Sequence, residues 1–218
     1  DTLHLDCSQA SLRARVPNEA VQEQAGQRQE RRSTQYSGSA SWQHTVSADL
    51  LLTAAGSALD TAASLQSNTL STPIIVNQQR GFRQGGGHLD VAGHHGNHNW
   101  KAGTDSILRH VQERLVYTIT DPAYFDPGTQ QQLNFQAQHW DSEPAAFLED
   151  NVFFGNWNVA AGLRYDNYSF VVHDDGWSPR VAISRFFPAA HLTLHASYDR
   201  VFQFPAVENL LLASSPEL

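Results

Sequence analysis

Histidine is the side chain here best suited to chemistry. There are 11, and His88, His94, His95 and His98 lie close together in "GGGHLDVAGHHGNH". Converging imidazoles bind transition metals, and a tight turn at Gly96-Asn97 would bring His94 or His95 near His98. No cysteine or carboxylate completes a ligand set at that turn, so polar side chains at a wet turn are the simpler reading and no metal is expected. His191 and His195 share a strand face, but four residues of strand hold them about 13 Å apart, too far to chelate one ion.

Other catalytic signals are weak. No G-x-S-x-G elbow occurs, and Gly85 to His88 lacks the spacing of a phosphate-binding loop. Glu149-Asp150 and Asp174-Asp175 are adjacent, so on a strand their carboxylates diverge to opposite faces. Arg164, Asp166, Arg180, Asp199 and Arg200 read as cross-strand ion pairs that fix register. The lone Cys7 forms no internal disulfide. The chain reads as a non-enzyme without a cofactor.

These side chains sit on strands. In "NWNVAAGLRYDNYSFVV", Val159, Ala161, Leu163 and Tyr165 point one way, while Asn158, Ala160, Gly162, Arg164 and Asp166 point the other. Strict alternation marks a β-strand whose faces meet different media. Leu192, Leu194, Ala196 and Tyr198 repeat the pattern against Thr193, His195 and Asp199. "AAFLEDNVFF" is ambiguous, because Phe147 and Leu148 have opposite parity. Strand starts fall near Thr2, Ser33, Ala48, Phe82, Asn99, Pro144, Trp157, Trp177 and His191.

Connection lengths alternate. Short turns lie at Gln43 to Ala48, His94 to His98, Phe154 to Trp157 and Pro188 to His191. Long polar connections cover Arg15 to Ser33, Gly56 to Arg83, Leu108 to Gln138, Ser169 to Gly176 and Gln203 onward. "NEAVQEQAGQRQERR", Asn18 to Arg32, has helical composition without an apolar stripe, and reads as a solvated loop. Short turns on one rim and long loops on the other predict an all-β fold: a partial up-and-down antiparallel transmembrane β-barrel of about nine strands.

Composition permits this. Hydrophobic residues make up 40% of the 218 and mean hydropathy is -0.42, which excludes a membrane-spanning helix but not a barrel, where every second residue is polar or small. The net charge is -8, and the basic residues, all Arg except Lys101, are scattered, so no nucleic acid is expected as a partner. With no methionine and no signal peptide, the chain reads as an internal piece of a longer protein. Aromatic side chains near strand ends, among them Trp42, Trp100, Trp157, Trp177 and Tyr198, suit interfacial girdles. The rival fold is a soluble secreted β-sandwich serving as an adhesion or carbohydrate-binding module. Loops of about 20 to 30 residues on a single rim argue against it. A third reading, a metal-sequestering module, rests on His94, His95 and His98.

"NWNVAAGLRYDNYSF", "WSPRVAISRFFP" and "LTLHASYDRVFQFPAVENLLLASSP", in this order, closely resemble consecutive strands of the TonB-dependent receptor family. "LSTPIIVNQQRGFRQGGGHLDVAGHHGNHNWKAGTD" and "TDPAYFDPGTQQ" are similar to the branch carrying a carboxypeptidase-regulatory-like domain before the plug. The resemblance covers most of the chain from about Ser33. It implies a many-stranded barrel in the cell outer membrane, filled by an N-terminal plug, that takes up a solute using energy from the TonB complex. It also implies that residues 1–218 are part of that barrel, with outer-membrane lipid, an unidentified solute and, through a plug absent from this sequence, the TonB complex as partners. The sequence departs from the family pattern in having no plug, no TonB-contacting box and no terminal aromatic residue. Ligand contact is expected from the long-loop rim, where the large aromatic candidates are Tyr124, Phe125, Trp140 and Phe204.

Overall fold

The computed structural model describes residues 1–170 and 172–203. Nine strands form one sheet in strict sequence order: β1 (Thr2–Val16), β2 (Gln29–Ser47), β3 (Leu50–Ser67), β4 (Ile74–His95), β5 (His98–Ile119), β6 (Gln132–Phe154), β7 (Trp157–Ser169), β8 (His173–Phe187) and β9 (Leu192–Asp199). Every neighbouring pair is antiparallel. The short rim carries turns at residues 48–49, 96–97, 155–156 and 188–191. Gly96 and Gly155 adopt φ of 60° and 58°, the left-handed backbone that a two-residue hairpin turn demands.

The long rim is shorter than the sequence suggests. Its connections are residues 17–28, 68–73, 120–131 and 170–172, and most of Gly56 to Arg83 and Leu108 to Gln138 is strand. Within Asn18 to Arg32, Ala20–Gln24 is a helix and β2 begins at Gln29. β4, β5 and β6 run 22, 22 and 23 residues, about twice what crosses an apolar belt. Alternation weakens in the far half of β4, where Asn77, Gln78, Gln79 and Arg80 are polar on both faces, but persists in β6, where Leu133, Phe135 and Ala137 alternate with Gln and Asn.

Register sorts side chains into rows. Trp42, Ala54, Leu89, Thr104, Ala146, Tyr165 and Trp177 are successive partners from β2 to β8. The neighbouring row, on the opposite face, is Thr53, Asp90, Gly103, Phe147, Arg164 and Ser178. One face is therefore apolar at the level where the other is charged. We call them outward and inward.

No second layer covers the outward face among the described residues. Leu163, Ile183 and Leu194 are 44%, 41% and 56% exposed, and among the described residues the only buried apolar ones are Ala145 and Tyr168. A sandwich needs an apolar layer between two sheets, and this chain builds one sheet, which overturns the β-sandwich alternative. Pairing of β6 with β7 skips residues 143–144, where Pro144 has no N–H to offer the ladder. On the outward face near the short rim, the Trp100 indole lies across Gly93, within 2.4 Å of where a Cβ would stand. Glycine makes the room and the ring covers the bare backbone.

Candidate functional site

The inward face carries a continuous chain of charges across β4, β5 and β7. His88 Nδ1 lies 2.5 Å from Asp105 and Nε2 lies 2.6 Å from Asp90. An imidazolium, donating from both nitrogens, satisfies both contacts. Lys101 Nζ reaches Asp90 at 3.4 Å. Beyond Asp105, Arg164 donates from Nη1 at 2.7 Å and from Nε to Asp166 at 2.8 Å. Signs alternate along the whole path.

Phe147 sits inside this network. Its ring stacks on His88 with centroids 6.3 Å apart, and Lys101 stands 5.6 Å from its centre. The ambiguity of "AAFLEDNVFF" is thereby resolved: Phe147 points inward between two cationic groups, and Leu148, 59% exposed, points outward with its partner Leu163.

A second cluster lies farther toward the long rim. The Arg109 guanidinium donates to Gln84 at 2.9 Å, to Asp141 at 2.5 Å and to Glu143 at 3.1 Å. Asp141 is almost fully buried. Sequence reading missed this cluster because Arg109 falls in a stretch taken as loop. The i, i+2 spacing of Asp141 and Glu143 was the available signal, since it places both on one face of a strand.

A hollow of about 890 Å³ runs along the inward face near the short rim, past Leu51, Ala92, Lys101, Glu149, Arg180 and Asp199. Its charged members, Lys101, Glu149, Arg180 and Asp199, would be costly against hydrocarbon and suit a wet interior. It contains no nucleophile paired with a base. Arg180 and Asp199 are register partners, and Glu149 and Asp150 fall on opposite faces, opposite Lys101 and Trp100 respectively.

The histidines near the first glycine turn do not converge. His94 bonds Asn99 at 2.6 Å on the inward face, while His98 bonds Asp150 at 2.6 Å on the outward face, where His95 is its register partner. Among the described residues no three His, Cys, Asp or Glu side chains group as a metal site would.

The aromatic candidates are also dispersed. Tyr124 ends a single 3-10 turn, Pro122–Tyr124, in the connection between β5 and β6 and is 73% exposed. Phe125 follows it, half-buried, its N–H bonded to the Pro122 carbonyl. Trp140 lies eight residues inside β6, roughly 26 Å along the strand from its start, stacked on His110 on the outward face with centroids 4.5 Å apart. Phe204 lies outside the described residues.

A protein-family model described as "TonB dependent receptor-like, beta-barrel" matches residues 9–216. No curated protein matches the sequence. Among solved structures, the chain is similar to the ferric yersiniabactin uptake receptor FyuA from Yersinia pestis, with TM-score 0.64, 12% identity, and coverage of 84% of this chain and 32% of that one. It is similar to the copper transporter OprC, with TM-score 0.64, 15% identity, and coverage of 93% and 37%. A chain of the RagAB peptide importer in its open-open state gives TM-score 0.56 at 16% identity, covering 79% of this chain and 22% of that one. The chain spans about a third of the first two, and at these identities the likeness is one of fold.

Proposed function

The chain belongs to the TonB-dependent receptor-like β-barrel family, and from that premise we propose that its nine strands form part of the wall of an outer-membrane barrel that takes up a solute. The observation that carries this is the contrast between adjacent rows: Leu148 and Leu163 outward, Phe147 and Arg164 inward, one residue apart on the same strands. Hydrocarbon outside and water inside is the arrangement that gives both rows a favourable medium. The family is one of outer-membrane receptors and transporters. The resembling structures are described as a ferric yersiniabactin uptake receptor, a copper transporter and a peptide importer, which supports uptake as the activity and leaves the solute open.

On this reading residues 1–218 are one part of the barrel. Further strands would continue from the edges at β1 and β9, and a plug would sit against the inward face and connect it to the TonB complex. Solute would first meet the long rim, at Tyr124 and Phe125, whereas Trp140 stands on the outward face of the wall. The test is fractionation of cells expressing the full-length protein. It should require detergent, sediment with outer membranes and migrate differently on gels before and after heating. A soluble product with unchanged mobility would overturn the proposal.

A further inference from the structure

The geometry points to a binding site for a phosphorylated, multiply acylated lipid on the outward face of β1–β6, at the water-side edge of the apolar belt; this rests on the membrane-barrel reading above. A hollow of about 920 Å³ opens there. Its floor is Gly38, Ala58 and Gly85, successive register partners in the row that runs on to Leu108 and Ser142. Toward the membrane interior the floor continues through Ala40, Gly56 and Gly87. Tyr36, Leu108 and Trp140 stand around it, each more than half exposed. A slot with a bare floor and bulky apolar walls, continuous with the belt, fits a hydrocarbon chain lying along the strands.

The water side of the hollow is basic. Arg83 stands at its rim in the row of Tyr36, Asp60, His110 and Trp140. Two rows farther out, Arg13, Arg32 and Arg114 share one row, and Arg15 lies in the next. From the Arg83 row out to the Arg15 row, Asp60 and Glu30 are the only carboxylates on this face of β1–β6. Five arginines against two carboxylates invert the sign of a chain whose net charge is -8.

Arg13 pairs with Glu30 at 2.8 Å, Arg32 pairs with the same carboxylate, and Arg83 pairs with Asp60 at 3.0 Å, with all three arginines largely exposed. Such surface pairs are weak and readily exchange for a phosphate. Among the described residues Arg15 and Arg114 have no carboxylate within salt-bridge distance. Arg83 and Arg114 are separated by about 13 Å of strand, which suits a headgroup with more than one phosphate. A nucleic acid would engage the arginines and leave the hollow empty. A lipid fills both halves.

The test titrates the full-length protein, purified in detergent, with bisphosphorylated lipid A and counts retained lipid by native mass spectrometry. Monophosphorylated lipid A and inorganic pyrophosphate are run alongside. The wild type should hold the bisphosphorylated lipid, bind the monophosphorylated form more weakly and resist displacement by pyrophosphate. The R32Q/R83Q/R114Q variant should bind about tenfold more weakly or worse. Gly85→Leu should also lose lipid with every charge intact, and it strains nothing, because a Cβ at Gly85 meets no atom within 4 Å. Unchanged lipid retention in both variants overturns the inference, as does displacement by pyrophosphate together with normal binding by Gly85→Leu, which would leave an anion site only. Gel mobility before and after heating is read on the same samples. A wild type without a heat-dependent shift fails the barrel reading; a folded barrel whose lipid count ignores both variants fails this inference alone.

Discussion

The Phe147 ring occupies the space that a side chain on Gly103 would need: its Cζ lies 2.7 Å from where that Cβ would stand, and Asp90 Cβ lies 2.8 Å away. Gly103 thus sets the position of both the aromatic ring and one carboxylate of the inward network. Its backbone is not in the left-handed region, so steric room rather than backbone freedom explains the glycine. Gly103→Val should cost about 1–3 kcal/mol through overpacking and separate Phe147 from His88. Urea unfolding of the barrel in detergent measures the loss, and a variant as stable as the wild type would show that the ring and the Leu89 carbonyl, 2.6 Å from the same point, both give way freely.

Arg164 joins Asp105 and Asp166, and all three side chains are a third exposed or less. Replacing it with Gln leaves two carboxylates close together without a cation between them. Because water reaches part of the site, the expected loss is about 1–2 kcal/mol rather than that of a fully buried pair. Adding Asp105→Asn should recover part of it, since the repulsion then disappears. A double-mutant cycle on the unfolding midpoint measures the coupling, and strictly additive effects would mean that the contact contributes nothing.

Leu163 and Thr53 separate the two faces experimentally. Leu163 points outward beside Leu148 and Pro179, so Leu163→Arg places a charge in hydrocarbon at about 2–4 kcal/mol. Thr53 points inward opposite Asp90, so Thr53→Arg meets water and an opposite charge and should cost under about 1 kcal/mol. Refolding yield into lipid vesicles compares them. Equal tolerance would mean that the outward face does not meet lipid.

How much of this was legible in the sequence depended on the medium. From Trp157 to Asp199 the faces meet different solvents, so alternation located β7 to within a residue and placed Leu163 and Arg164 on opposite sides. Above the Arg83 row both faces are wet. There Gln78 and Gln79 carry no periodic signal, although they lie on a ladder as regular as any below, whereas Leu133, Phe135 and Ala137 still alternate with Gln132, Asn134, Gln136 and Gln138 at the start of β6. Short turns survived this loss because Gly96 and Gly155 announce them by residue type alone. The inward site was half legible: Arg164 and Asp166 were visible as ionic partners, but the partner across β6 is Asp105, and no parity rule names a residue two strands away. Phe147 escaped for a different reason, since an aromatic ring in a polar lining breaks the rule that apolar side chains mark the outer face.

The aromatic candidates at the long rim divide by position. Tyr124 and Phe125 share one connection and one solvent-facing turn, whereas Trp140 is stacked on His110 well down the outward wall. A solute approaching from the rim meets the first two before it reaches any strand. Replacing both with Ala should weaken solute binding by about tenfold or more, because stacked aromatic contacts contribute on the order of 1 kcal/mol each beyond the area they bury. Trp140→Ala should act far less on solute affinity and should instead lower thermal stability in detergent, since it removes a ring anchored where apolar wall gives way to water. Solute titration of the full-length protein on both variants decides the matter. A larger loss of affinity from Trp140→Ala than from the rim pair would move the point of capture from the loops to the outer wall.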